Sequence, residues 1–216
     1  CIIMSIASIV FKSIPNRYYA DILSILNLLC GSIGIILVFN GMYVYAAIAI
    51  LAGQIFDLFD GRMAEKHGGT KFGPWLDDIA DMVSFGLCPA AMIIFRGSMS
   101  AVAVFVGTLY FFFIAYRLWR FLIVDKHDSS LPPGIFKGLP SPAGAMVALG
   151  ACLFWDNLWI TSVVVLFTCL LLVSHIRFIH FGRIIISRVP RIVIIIGGFI
   201  IIFILAYIIK FNSSNL

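Results

Sequence analysis

Apolar runs at about 22–40, 43–62, 77–95, 99–123, 141–155, 157–175 and 191–210 take up most of this chain, the fifth of them short. About 20 apolar residues in a helix rise through the ~30 Å of hydrocarbon in a bilayer. Lipid gives backbone amides and carbonyls no partners, so a spanning segment is either a helix or a strand of a closed barrel. The alternating pattern of barrel strands is absent, which leaves helices. Of 216 residues, 62% are hydrophobic and 12% charged, too few polar groups to clothe a soluble domain. The expected fold is all-α and polytopic, with six to seven transmembrane helices. A single domain is expected over 1–216, its motifs within 15–180 and an interfacial segment and last span in 181–216.

Basic residues set the expected orientation. With a cytoplasmic N-terminus, Lys12, Arg17, Arg62, Lys66, Lys71, Arg117, Arg120, Lys126, Lys137, Arg177, Arg183, Arg188 and Arg191 fall on or near the inner side, and only Arg96 and Lys210 outside. That asymmetry is a strong positive-inside bias. The net charge of +5 is then topology and attraction to anionic headgroups, and nucleic acid is not an expected partner. Cys1, Cys30, Cys88, Cys152 and Cys169 make no metal-ligand spacing and read as packing residues. Residues 2–11 are apolar but short, without a clear cleavage site, so a secretory signal is not expected. With Cys1 in place of methionine, the sequence is expected to continue upstream.

Against this apolar background stand two aspartate pairs, Asp57/Asp60 and Asp77/Asp81, with Asp78 beside the second. An ionised carboxylate at mid-bilayer costs roughly 2.5–3.5 kcal/mol, less near the interface, so four together need something to neutralise them. A divalent cation held by carboxylate oxygens does so and anchors phosphates. Residues three or four apart share a helix face, so each pair points one way. The polar link Glu65 to Phe72 is short enough to make the two helices antiparallel neighbours, and the four acids then converge. Gly53, Gly61 and Ala64 leave the first helix bare beside its acids, and Gly73-Pro74 opens the second with amides that could face an anion. The plainer alternative is that the acids only pair with Arg62, Lys66, Arg117 and Arg120.

The stretch Asp57-x2-Asp60-Gly61-x2-Ala64-Glu65-x7-Gly73-x3-Asp77-x3-Asp81 resembles the signature of the CDP-alcohol phosphatidyltransferases, D-x2-D-G-x2-A-R-x8-G-x3-D-x3-D. It departs from that signature in two places: Glu65 stands where an arginine is usual, and the interval to the glycine is one residue short. Within the family, Phe56–Arg62, Lys71-Phe72-Gly73, Asp81–Ala90, Pro15-Asn16, Asn27–Gly31, Arg117–Phe121 and Phe136–Ala143 are similar to the membrane-integrated phosphatidylserine synthases. The resemblance covers about 15–180.

The resemblance implies transfer of a phosphatidyl group from CDP-diacylglycerol to L-serine, with release of CMP. It implies Mg2+ or Mn2+ on Asp57, Asp60 and Asp77, with Asp81 as general base on the serine hydroxyl and a further metal contact. Asp57, Asp60, Gly61, Ala64, Lys66 and Gly73 would receive the CDP moiety. Membrane lipids are the other expected partners, a homodimer the expected assembly, and a bacterial inner membrane with a cytoplasm-facing site the expected setting. At least one of Arg117 and Arg120 is expected to meet phosphate or a substrate carboxylate; the alternative is that they neutralise the aspartates or reach to headgroups. Ser141 is a pocket residue or a helix N-cap before Pro142. Asn27 is expected to bond to the site or to a neighbouring helix. Asp125–Ser130 reads as a solvated loop and 177–191 as an interfacial helix or elbow. Other readings are the same reaction with glycerol phosphate, inositol or inositol phosphate, the reaction on an archaeal ether lipid, a non-catalytic relative, and a cation transporter.

Overall fold

A computed structural model describes residues 15–123, 135–174 and 176–179. A single 3-10 turn, Asn16–Tyr18, leads into helix α1, Tyr19–Phe39, and α2 follows as Tyr43–His67. Gly73 to Arg96 is one helical pass in three parts: α3 (Gly73–Asp81), a π-helical stretch (Met82–Leu87) and α4 (Cys88–Arg96). Helices α5 (Ala101–Ile123), α6 (Ser141–Phe154) and α7 (Leu158–Val173) are the remaining helices among the described residues. Between α5 and α6, strand β1 (Ile135–Lys137) pairs antiparallel with β2 (Arg177–Ile179), with Phe136 opposite Phe178. Among the described residues the fold is helical apart from this short ladder. Four passes among them are long and apolar enough to cross a membrane: 16–39, 43–67, 73–96 and 101–123. Helices α6 and α7, with 14 and 16 residues, are apolar but shorter.

Short connections make the neighbouring helices antiparallel. Three residues, Asn40 to Met42, join α1 to α2. Helix α2 ends on Gly68 at φ +87°, whose amide donates to the Ala64 carbonyl at 2.9 Å; glycine takes this left-handed cap without a Cβ clash. At α7, the Asn157 side chain accepts the Trp159 amide at 2.9 Å and caps the first turn.

Packing follows small residues. Helix α1 buries Ala20, Ser24, Asn27, Gly31, Gly34 and Val38, a four-three alternation that keeps one seam against its neighbours. A Cβ on Gly31 would come within 3 Å of both Ser84 backbone atoms that face it, and one on Gly34 would stand 2.9 Å from the Cys88 sulfur. Lipid supplies no hydrophobic drive between helices, so close backbone approach of this kind is what holds them. The core itself gathers Ile50, Phe85, Met92, Ile93, Tyr110, Ile114 and Leu149 at the centre of the bundle. Large apolar side chains such as Ile33, Ile36, Phe105, Phe112 and Phe167 face outward, as a lipid-bathed surface requires.

The reading of 177–191 as an interfacial helix or elbow needs correction at its start. Arg177–Ile179 is extended because its backbone finds partners in Ile135–Lys137. Residues 180–191, the expected last span at 191–210, the Asp125–Ser130 loop and Cys1 lie outside the described residues. Cys88, Cys152 and Cys169 are buried free thiols and Cys30 is half-buried, in keeping with packing roles.

Candidate active site

All four expected aspartates come together at one end of the bundle. Asp57 and Asp60 are set in the second half of α2, and Asp77 and Asp81 on α3, which runs back beside it. At 1.5 Å per residue, Asp60 lies about 10 Å in from the end of α2 and Asp81 about 12 Å in from the start of α3. One carboxylate oxygen from each of Asp57, Asp77 and Asp81 lies within 4.8 Å of the other two. Asp60 stands next to Asp77, and its carboxylate accepts a 2.8 Å hydrogen bond from Ser24 Oγ of α1.

The surrounding groups come from α1, α5 and α6. Asn27, fully buried, donates from Nδ2 to Asp81 Oδ1 at 3.3 Å. Its own backbone carbonyl accepts Ser84 Oγ at 2.9 Å, so residues 81 and 84 hold Asn27 by both side chain and backbone. A Cβ on Gly53 would sit 2.7 Å from Asn27 Oδ1; the bare Cα of α2 is what lets the amide in. Arg117 of α5 is close enough to Asp57 and Asp81 for its charge to act on both, and it donates a short hydrogen bond to the buried Ser141 Oγ at the head of α6. Arg120, one turn further along, donates to the Val173 carbonyl at 2.9 Å and so ties the C-terminal end of α7. Arg117 is thus placed beside the acids.

The residues expected around a nucleotide separate into two kinds. A Cβ on Gly61 would meet nothing within 4 Å, so α2 is open beside Asp60. Ala64 is half-buried and Lys66 exposed in the last turn of the same helix. Gly73 is different, because Asp21 Oδ1 occupies the space a Cβ would need, 3.0 Å away. Its amide donates to Thr70 Oγ1 at 2.9 Å, and Thr70 donates in turn to the Asp21 carboxylate at 2.8 Å. The expected anion-facing amide at Gly73 is thus taken by the loop itself.

Two residues escaped the sequence reading. Asp21 latches the 68–72 loop to α1, and as an acid in an apolar run it carried the same cost signal as the other four. Ser24, which holds Asp60, was legible only as the position three before Asn27 in the small-residue seam.

These residues suit a hard divalent cation. Oxygen ligands of one such ion, about 2.1 Å from it, can be at most about 4.2 Å apart, so the observed grouping needs only small side-chain adjustments. Asp77 Oδ1 is buried and accepts no hydrogen bond, an orphaned carboxyl oxygen of the kind a cation satisfies.

A helical membrane bundle with a cluster of carboxylates about 10 Å inside one end, beside an open helix surface, is the class of protein that the fold and site define. The sequence pattern of the CDP-alcohol phosphatidyltransferases matches residues 17–210. The chain belongs to that family. It is 32% identical over 160 residues to the CDP-diacylglycerol–serine O-phosphatidyltransferase of Methanocaldococcus jannaschii, covering 74% of this chain and 72% of that one. It is 31% identical over 166 residues to the protein of the same name from Saccharomyces cerevisiae, covering 68% of this chain and 60% of the relative. The archaetidylserine synthase of Methanothermobacter thermautotrophicus is 32% identical over 130 residues, 58% of this chain and 54% of its own length. The matches thus leave more than a third of the last two relatives uncovered.

Proposed function

We propose that this chain transfers a phosphatidyl group from CDP-diacylglycerol to L-serine, giving phosphatidylserine and CMP. The observation that carries the reading is the convergence of Asp57, Asp77 and Asp81, with Asp60 beside them, in a chain of this family. Its similarity to relatives named for that reaction supports serine as the acceptor.

Asp57, Asp60, Asp77 and Asp81 would hold one or two Mg2+ or Mn2+ ions. When bound, these offset the charge of the diphosphate and of the departing CMP. Asp81 takes the proton of the serine hydroxyl as its oxygen forms a bond to the lipid-bearing phosphorus, and the bond from that phosphorus to the CMP oxygen breaks. Asn27 holds one Asp81 oxygen and so presents the other, which orients a base whose placement matters as much as its strength. Arg117, braced by Ser141, offers its guanidinium to a phosphate or to the serine carboxylate, a planar pairing suited to either. The open surface at Gly61, with Ala64 and the exposed Lys66 three and five residues on, receives the CDP moiety. Glu65 stands where the family signature has an arginine, and the neighbouring Lys66 supplies the positive charge in this reading.

The same chemistry on an ether-linked CDP-lipid is the second reading, supported by the similarity to an archaetidylserine synthase. We read six or seven spans from the apolar runs, and a cytoplasm-facing site from the distribution of Lys and Arg. The deciding measurement is CMP release by the purified protein in detergent with Mn2+, an ester or an ether CDP-lipid, and a panel of acceptors. Release that requires serine and metal, and is lost in Asp81→Asn, supports the proposal. Release with inositol or a glycerol phosphate instead moves the acceptor, and no release with any acceptor overturns the enzymatic reading.

A further inference from the structure

Immediately after Asp81 the helix widens. The Cys88 amide donates to the Val83 carbonyl, five residues back, where an α-helix would reach four. The next residue is Pro89, which has no amide hydrogen to give and whose ring crowds the carbonyl four residues before it. That carbonyl belongs to Phe85. Its ordinary α-helical donor is therefore missing, and in the apolar centre of a membrane bundle a side chain can take that place.

Tyr110 of α5 supplies one. Its side chain is fully buried, and its hydroxyl donates to the Phe85 carbonyl at 2.9 Å. Glycines let α5 come close enough: a Cβ on Gly107 would lie 2.8 Å from the Ala90 carbonyl, and one on Gly86 3.3 Å from Ile114. On the other side, Ser84 donates to the Asn27 carbonyl of α1. Consecutive residues of the π-helix are therefore pinned to different helices, Ser84 to α1 and Phe85 to α5. Two such pins fix both the height and the rotation of the segment, and Asp81 is its first neighbour.

We propose that Tyr110 is a positioning residue for Asp81, acting through the carbonyl freed by Pro89 and the π-helix Met82–Leu87. Tyr110 sits seven residues before Arg117, about 10 Å along α5, and touches none of the site acids by hydrogen bond in its own right. Its effect is on where Asp81 stands among Asp57, Asp77 and Asn27. This rests on the functional reading above, and the test separates the two.

The test uses Tyr110→Phe and the double variant Pro89→Ala/Tyr110→Phe. In the double variant the new amide can serve the Phe85 carbonyl and close an ordinary helical turn. Thermal stability in detergent, Mn2+ binding by electron paramagnetic resonance, and kcat and KM for CMP release are read for each. Tyr110→Phe is expected to lose stability, to bind Mn2+ about tenfold more weakly, and to lose about tenfold in kcat with KM for the CDP-lipid within about twofold. The double variant is expected to regain stability while its Mn2+ binding and kcat stay low. Recovery of kcat and Mn2+ binding along with stability would overturn the proposal, since the hydroxyl would then serve only to satisfy a carbonyl. So would native Mn2+ binding in Tyr110→Phe. Should Tyr110→Phe not fold, the double variant alone decides on the same criteria. If the native protein releases no CMP with any acceptor, the enzymatic reading falls, and the Mn2+ arm still decides the role of Tyr110.

Discussion

At Gly53 one methyl group separates a working site from a blocked one. A Cβ there would stand 2.7 Å from Asn27 Oδ1, and the amide could not keep its bond to Asp81. Gly53→Ala is expected to cost about 1–3 kcal/mol by overpacking, and to lower kcat more than KM because Asp81 loses its orienting partner. Thermal melts beside steady-state kinetics check both. Ser24→Ala removes the hydroxyl that serves the buried Asp60 carboxylate, a charge-assisted bond worth about 1.5–3 kcal/mol. Its expected signature is a higher Mn2+ requirement, read from the metal dependence of CMP release. Asp81→Asn keeps the shape and removes the proposed base; a fall in kcat of at least about 100-fold is expected. The four acids and Asn27 were legible as residues because polar groups in apolar runs are costly. Ser24 was not, because one small hydroxyl in a seam of small residues carries no such signal.

At the scale of elements, α1 acts as the spine of the site. Its seam receives α2 at Gly53 and the π-helix at Gly31, so Asp60 and Asp81 are both referred to one rigid helix. Gly31→Ala would press on Ser84 backbone atoms that cannot rotate away. We expect it to destabilise the protein by about 1–3 kcal/mol and to weaken Mn2+ binding, which the Tyr110 assay also reads. The 68–72 loop is the second device: Asp21 holds Thr70, and Thr70 caps Gly73. Helix α3 is thereby started at a defined point despite a link one residue shorter than the family signature. The π-helix was not legible in advance. Pro89 was visible, but whether its freed carbonyl bends the helix, widens it or finds a donor depends on what lies opposite, and Tyr110 is 21 residues away in sequence.

For the whole molecule, the two ends of the bundle are built differently. The acidic site occupies one end. At the other, Arg96 joins Asp156, the Cys152 carbonyl and the face of Tyr43, linking α4, the α6–α7 connection and α2. Asp156 is 88% exposed, so solvent screens the pair; Asp156→Ala is expected to cost less than about 1 kcal/mol and to leave CMP release unchanged. Orientation is checked with the exposed Lys71 and Ser98, which flank the third pass at opposite ends. If the site faces the cytoplasm, a membrane-impermeant maleimide labels Ser98→Cys in intact cells and Lys71→Cys only after permeabilisation.

The apolar runs by themselves determined that this chain is a helical membrane protein, because hydrocarbon tolerates no other open-chain backbone. The spacing of Asp57, Asp60, Asp77 and Asp81 determined that two carboxylate pairs face one way on two adjoining helices, because helical periodicity is a local property. Tertiary structure alone decided which groups serve those acids: Ser24 for Asp60, Asn27 for Asp81 and Arg117 near Asp57, while Arg120 bonds to the end of α7. It also decided that Gly73 shelters an aspartate and that Tyr110 completes a broken helix. Those outcomes depend on how closely backbones from distant parts of the chain can approach, a steric condition set jointly by several helices and written in no single segment.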